Sequence, residues 1–272
     1  KNISAGDYLL IEFCHNDDAS KEYKTMFNRL TPLGEPDSDG RFPIIPGEAM
    51  PKDYIPPEYI DALRKDENVK DKQAVLDSVY KILESYPHDT YYPYSADGSK
   101  GTYLWFLKQF VDMAREKGAV PVFVTAPART VYDANGNIKD GAGLHGGNNF
   151  AYIRAMKQLG EEAKVPVIDL FAYSCGLYKQ IGKEKIHWIT SIKKGCNKGI
   201  WPDDFNSEMQ KKETVSEDTH FNKYGAMLIT QGLVKLIKES DSSLDGLKGM
   251  LKNPDGIDIE KYVKKPLVFE EF

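Results

Sequence analysis

Short apolar runs and helical spacings follow one another along this chain. Gly6-Asp7 turns into Tyr8 to Phe13, a nearly all-apolar run that predicts a short strand buried on both faces of a parallel sheet. The run stops at the polar cluster Cys14-His15-Asn16-Asp17-Asp18. Polar groups at the carboxyl end of a buried strand are where open α/β sheets bind ligands. Further on, Leu104, Leu107, Phe110, Val111 and Ala114 line one side of a helix expected over 102–117, which Gly118 closes. A strand over 120–125 leads to Ala126-Pro127-Ala128-Arg129. A turn at 133–137, a helix over 149–162 and a third strand over 165–170 come next. The last helix, over 224–240, follows the polar knot Ser216-Glu217-Asp218-Thr219-His220. This alternation predicts right-handed crossovers and a doubly wound parallel sheet in a single α/β domain.

Two stretches depart from the pattern. Between 20 and 99, seven prolines from Pro32 to Pro57 interleave with glycines, which marks irregular chain. Inside it, Pro57 opens one helical spacing, and Val75, Leu76, Val79, Ile82 and Leu83 carry a second over 72–86. The stretch reads as an insertion packing over one rim of the sheet. The tail over 241–272, with Pro254 and Pro266, is expected to wrap the surface.

Composition narrows the function classes. With 272 residues, 28% of them charged and 41% hydrophobic, the chain is a folded protein with a sizeable core. A net charge of −5 leaves no basic footprint for nucleic acid, and Lys193-Lys194, Lys211-Lys212 and Lys264-Lys265 read as solvated faces. No apolar run approaches the roughly 18 residues of a membrane span, so a soluble protein with no membrane partner is expected. Cys14, Cys175 and Cys196 lack zinc-knuckle or Cys-x-x-Cys spacing, and a Cys175–Cys196 bridge is open to an exported protein. The polar start Lys1 to Asp7 is not a signal peptide, so either the protein is cytoplasmic or a leader lies outside the chain.

Two clusters carry chemistry: His15-Asn16-Asp17 after the first strand, and Glu217-Asp218-Thr219-His220-Phe221-Asn222 before the last helix. An amide to hold an oxyanion, a histidine base and a carboxylate to orient it are the equipment of acyl transfer. Taken singly, each cluster reads as a capped loop. A metal-dependent hydrolase using His15, Asp17, Asp18, Asp218 and His220 is a further alternative, on unspecific spacing. Arg129 is a candidate contact for a sugar hydroxyl or carboxylate, or a loop salt bridge. Trp201 is the candidate sugar-stacking residue, Trp105 reads as core, His145 as a surface histidine, and His187 has no partner at ligand spacing.

The run Gly6-Asp7-Tyr8-Leu9-Leu10-Ile11-Glu12-Phe13-Cys14-His15-Asn16-Asp17 resembles the third block of the SGNH (GDSL-type) hydrolases, in the version found in rhamnogalacturonan acetylesterases. Thr219-His220-Phe221-Asn222-Lys223-Tyr224-Gly225-Ala226 is similar to that family's final block. The middle segments, with a strand ending in Thr-x-Pro-x-Arg at 125–129, look similar too. The resemblance implies a flavodoxin-like three-layer sandwich and an esterase that removes acetyl groups from a plant cell-wall polysaccharide, rhamnogalacturonan, pectin or xylan. It implies no metal or organic cofactor. Asn16 takes the oxyanion-donor position and His220 that of the base. Glu217 stands where the family has an aspartate, with Asp218 the alternative acid, and His15, Asp17, Arg129 and Trp201 are candidate substrate contacts. Three departures stand out: Cys14 replaces a glycine, the Gly-Asp-Ser block with its serine nucleophile is absent, and so is the second-block glycine. Cys14 as a nucleophile is the minor alternative. The resemblance therefore implies a sheet lacking its first strand or strands in this chain. An upstream segment or second chain would complete the sheet and supply the nucleophile in a protein that works outside the cell or in the periplasm. The alternative is a non-catalytic carbohydrate-binding or scaffold relative.

Overall fold

The computed structural model describes residues 2–15, 17, 31–95, 97–139, 150–193, 199–200, 216–256 and 258–262, with backbone alone at 192–193, 199–200, 216–218 and 260. The chain divides into two compact units, one formed by 1–123 and 140–165, the other by 124–139 and 166–272.

In the first unit, strand β1 (Tyr8–Ile11) pairs in parallel with β4 (Val120–Val124), Tyr8 opposite Val120 and Ile11 opposite Phe123. Gly6 N–H to Gly118 O at 3.0 Å and Val120 N–H to Asp7 O at 2.8 Å extend the ladder. The helix expected before β4 is α3 (Tyr103–Glu116), which buries Leu104, Leu107, Val111 and Ala114 at the spacing of one helical face. Gly118 ends it at φ +72°, its N–H bonded to Arg115 O at 2.9 Å. Helix α4 (Ala151–Ala163) adds Ile153, Ala155, Met156 and Leu159 to the core.

The expectation that β1 is buried on both faces needs correcting. Ile11 is buried, but Leu10 is 41% exposed, and Phe13, just past the strand, is 42% exposed. Within the strand Leu10 and Ile11 point to opposite faces, so the side chain of Leu10 is open to solvent where that of Ile11 is covered. Among the described residues β1 pairs with β4 alone and forms a sheet edge.

The proline-rich chain over 31–46 is tied to the ends of helices. Prolines cannot donate, so its backbone groups find individual partners. Tyr103 N–H donates to Pro32 O (2.9 Å), the Thr102 hydroxyl to Pro43 O (3.0 Å), and Ile45 N–H to Thr102 Oγ1 (2.9 Å). Gln158 of α4 brackets Phe42 with bonds to its N–H (2.8 Å) and carbonyl (2.9 Å), beside an Arg41–Glu162 ion pair. Residues 50–91 form a module of their own. The antiparallel bridge of β2 (Met50–Pro51) with β3 (Thr90–Tyr91) places Met50 opposite Tyr91, with α1 (Pro57–Lys65) and α2 (Lys72–Glu84) between. Pro57 sits in the first turn of α1 and Asp71 caps α2 through Ala74 N–H. Ile55, Tyr59, Leu63, Val79, Leu83 and Tyr91 make its core.

The second unit takes up the chain at Val124. Thr125 N–H donates to Ile168 O at 3.1 Å, which sets β5 (Val167–Ile168) beside it. The strand expected over 165–170 stops there, because Asp169 caps a helix, α5 (Leu170–Ile181), by accepting from Ala172 N–H. The turn at 133–137 is present: Asp133 Oδ1 accepts from Asn135 N–H (2.8 Å) and Asn137 N–H (2.9 Å), and Gly136 takes φ +77°. Strand β6 (Thr190–Lys193) runs antiparallel to both β7 (Gly199–Ile200) and β8 (Ser216–Phe221). Helix α6 (Lys223–Glu239) follows, and α7 (Asp245–Gly249) begins the tail. Where α6 meets α5, a Cβ on Gly232 would stand 2.0 Å from the Tyr173 ring, so the contact depends on glycine. Among the described residues no helix is long and apolar enough to cross a membrane.

Candidate active site

At the exit of β1, Cys14 is buried and its carbonyl accepts from Asp17 N–H at 3.1 Å. Two tyrosine hydroxyls fix the surroundings. Tyr103 donates to Phe13 O at 2.8 Å and Tyr152 to Thr31 O at 2.6 Å, their rings meeting edge to face at 4.9 Å. The Thr31 hydroxyl donates to Asp17 Oδ1 at 2.7 Å. Burial pushes the Asp17 carboxyl up to about 6, with the Thr31 hydroxyl and the residue's own N–H holding it back. A carboxyl there changes protonation just below neutrality. Cys14, weighed as a nucleophile, is 2% exposed, which is the setting of an inert core thiol.

In the second unit the candidate base lies on β8. The polar knot at 216–220, expected as a loop, is strand: Phe221 pairs with Thr190 and Ser216 with Ile192, with an irregularity between. Alternation then sorts the side chains, Phe221 lying 6.4 Å from the Tyr178 ring and His220 exposed. The next residue, Asn222, is 2% exposed and holds the junction of β8 and α6. Its amide Nδ2 donates to Trp188 O (2.7 Å) and Thr190 O (3.2 Å), while Oδ1 accepts from Gly225 N–H (2.9 Å) as the N-cap of α6. Its backbone N–H adds a bond to Ile189 O at 3.1 Å. A Cβ on Gly225 would lie 2.0 Å from Ile189 O, so the helix approaches the turn before β6 through a glycine. His220 is thus two residues from a junction with little freedom.

Arg129 is partly buried in the segment after β4. That segment is pinned: Ala128 N–H donates to Ser174 Oγ (2.8 Å), and the Thr125 hydroxyl donates to Asp169 Oδ1 (3.1 Å) while accepting from Phe171 N–H (2.8 Å).

Two proteins of Bacillus subtilis (strain 168) are similar to about half of this chain. The rhamnogalacturonan acetylesterase RhgT is 36% identical over 138 residues, 51% of this chain and 52% of its own length. The probable rhamnogalacturonan acetylesterase YesY is 34% identical over 139 residues, 51% of each chain. Over that half, the chain is similar to these two proteins. It spans about half the length of these curated relatives. No protein-family model matches it. A crystal structure of the Bacillus subtilis protein YxiM aligns over 50% of this chain and 30% of its own, at 20% identity and a TM-score of 0.35, too low to bear on the fold.

The acetylesterase-like reading assigns roles to residues that the structure describes unequally. Asp17, Arg129 and His220 are placed as above, and His15 is half-buried just past β1. Glu217 and Asp218 have a described backbone in β8, while Asn16, Asp18, His145, Cys196 and Trp201 lie outside the described residues. Trp105 is half-buried rather than core. Among the described residues no group of three histidine, cysteine, aspartate or glutamate side chains is placed to hold a metal ion. Asn222 is the positioning residue that motif reading passed over, although an asparagine directly before a helical spacing is itself a capping signal.

Proposed function

We propose that this chain is part of a serine-type esterase that removes acetyl groups from a pectic polysaccharide of the rhamnogalacturonan kind, acting outside the cell or in the periplasm. The observation that carries the proposal is the 36% identity to a rhamnogalacturonan acetylesterase over 138 residues. In this reading a serine from an upstream segment or a second chain attacks the acetyl carbonyl, and His220 takes its proton. The side-chain amide of Asn16 donates to the oxyanion, and Glu217, or Asp218, orients the imidazole. The proton returns to the departing sugar alkoxide. Water then attacks the acyl-enzyme with His220 again as base, releasing acetate and restoring the serine. His15, Asp17, Arg129 and Trp201 are assigned to substrate contact. Among the described residues β1 is paired on one side only, which supports a further strand completing the sheet.

The test is hydrolysis of an aryl acetate and release of acetate from acetylated rhamnogalacturonan by the whole protein. His220→Ala should lower kcat by a thousandfold or more, while a chelator leaves the rate unchanged. Loss on chelation would point to the metal-dependent alternative. Binding of the acetylated polymer by the whole protein without turnover would point instead to the non-catalytic relative that has lost its nucleophile.

A further inference from the structure

Three exposed features lie outside the chemistry above: the β1 edge, a shallow cavity of about 360 Å³ beside α6, and an aromatic corner on the first unit. The β1 edge already belongs to the esterase reading. The cavity's two lysines are answered by Glu239 and Asp255. The aromatic corner carries a proposal.

Tyr92 follows β3 directly, and Trp105 and Phe106 stand in the first turn of α3. The Tyr92 and Trp105 rings meet at 5.2 Å and 62°, and those of Trp105 and Phe106 at 5.0 Å and 75°, so neighbouring rings form near-right angles. Aromatic packing alone would close such a group over. Tyr92 instead leaves 47% of its surface to solvent, while its neighbour Tyr91 is 9% exposed and Tyr103 is 2%. The corner is also held in place. A Cβ on Gly47 would stand 2.8 Å from Trp105 Cζ3 and 3.2 Å from Tyr92 Cβ, so the chain at Gly47 lies against both residues in a way another residue could not. Gly101 N–H, bonded to Pro46 O at 3.1 Å, secures that strand of backbone to the start of α3. Beside Gly47 and Gly101, Glu48 and Lys100 form an ion pair with both side chains about half exposed.

We propose that Tyr92 and Trp105 form a stacking platform for a pyranose ring of an extended polysaccharide. The C–H face of the sugar lies on the exposed tyrosine ring, with Trp105 as the wall. Glu48 and Lys100 offer an acceptor and a donor to ring hydroxyls. A rigid, exposed aromatic face flanked by two solvated charges suits a polar ligand with one apolar face. A protein partner asks for roughly 800 Å² of complementary surface on each side. The inference rests on the polysaccharide-esterase reading for the identity of the sugar polymer, and it adds to that reading a binding surface separate from the reacting groups.

The experiment is affinity electrophoresis of the protein through gels containing rhamnogalacturonan, acetylated and deacetylated, with wild type, Tyr92→Ala and Tyr92→Phe. Unchanged urea midpoints control for folding, which an exposed tyrosine allows. Tyr92→Ala should weaken retention about tenfold, and Tyr92→Phe should restore it, because the ring face is kept and only the hydroxyl is lost. Aryl acetate turnover should be the same in all three. Wild type that migrates without retardation overturns the proposal. So does Tyr92→Ala retained like wild type, or Tyr92→Phe weakened as much as Tyr92→Ala. Tyr92-dependent retention without any ester cleavage would uphold the platform while removing the esterase reading, so the two fail separately.

Discussion

Replacing Asp17 by asparagine should make the protein more stable, and by an amount that depends on pH. The carboxyl, ordinarily at 3.8, is raised to about 6 by burial, which outweighs the hydrogen bond from the Thr31 hydroxyl. Between about pH 4 and 6 the folded chain therefore keeps a proton that the unfolded chain has released. Folding binds more protons than unfolding across that window, so stability falls as pH rises through it and the full cost is present above pH 6. Each tenfold change in proton affinity is worth about 1.4 kcal/mol, which gives about 3 kcal/mol, or about 2 kcal/mol once solvent reaching this partly exposed group is allowed for. Asparagine is isosteric, does not titrate and can still accept from Thr31. Urea denaturation of both proteins at half-unit steps from pH 4 to pH 7 measures the difference. The two should be equal near pH 4, with the Asp17→Asn variant about 2 kcal/mol ahead at pH 7. A difference that stays flat across the range, or one that favours the wild type at higher pH, refutes the reasoning.

Two further changes probe the junction behind His220. Asn222→Ala removes the α6 cap and strips Trp188 O and Thr190 O of their side-chain donor. It should cost about 2–4 kcal/mol in a urea titration, and kcat for aryl acetate should fall even at temperatures where the variant is fully folded. Gly225→Ala drives a methyl group into Ile189 O. Its expected loss is 3 kcal/mol or more, visible as a drop in Tm, and a variant melting with the wild type would show that the backbone there yields readily.

The parts of the fold legible in the sequence were those where local spacing and tertiary burial agree. Leu104, Leu107, Val111 and Ala114 recur at helical intervals and are buried at those intervals, and Gly118 ends α3 as a left-handed cap. Asp133 organises its turn through its own carboxylate. The misreadings share a cause as well. Residues 165–170 look like one apolar strand, yet a single aspartate at 169 caps a helix that takes Leu170 and Phe171 away from the sheet. Ser216 to His220 has little strand propensity, and its extended form follows from pairing with β6, a distant segment that no local pattern reveals. Placement is what the sequence leaves out at the candidate site. Which residues could act as base and acid follows from their type, whereas the clamp at Asn222 depends on carbonyls more than thirty positions away.

The module between Met50 and Tyr91 begins and ends side by side, since those two residues face each other in a short antiparallel ladder. A graft of this kind exerts no pull on the rest of the polypeptide, whatever its length, because its entrance and exit are already side by side. Evolution, or an engineer, can trim it, swap it or replace it with a short turn without redesigning what lies beneath. The first such replacement to consider is a two-residue hairpin turn between Met50 and Tyr91.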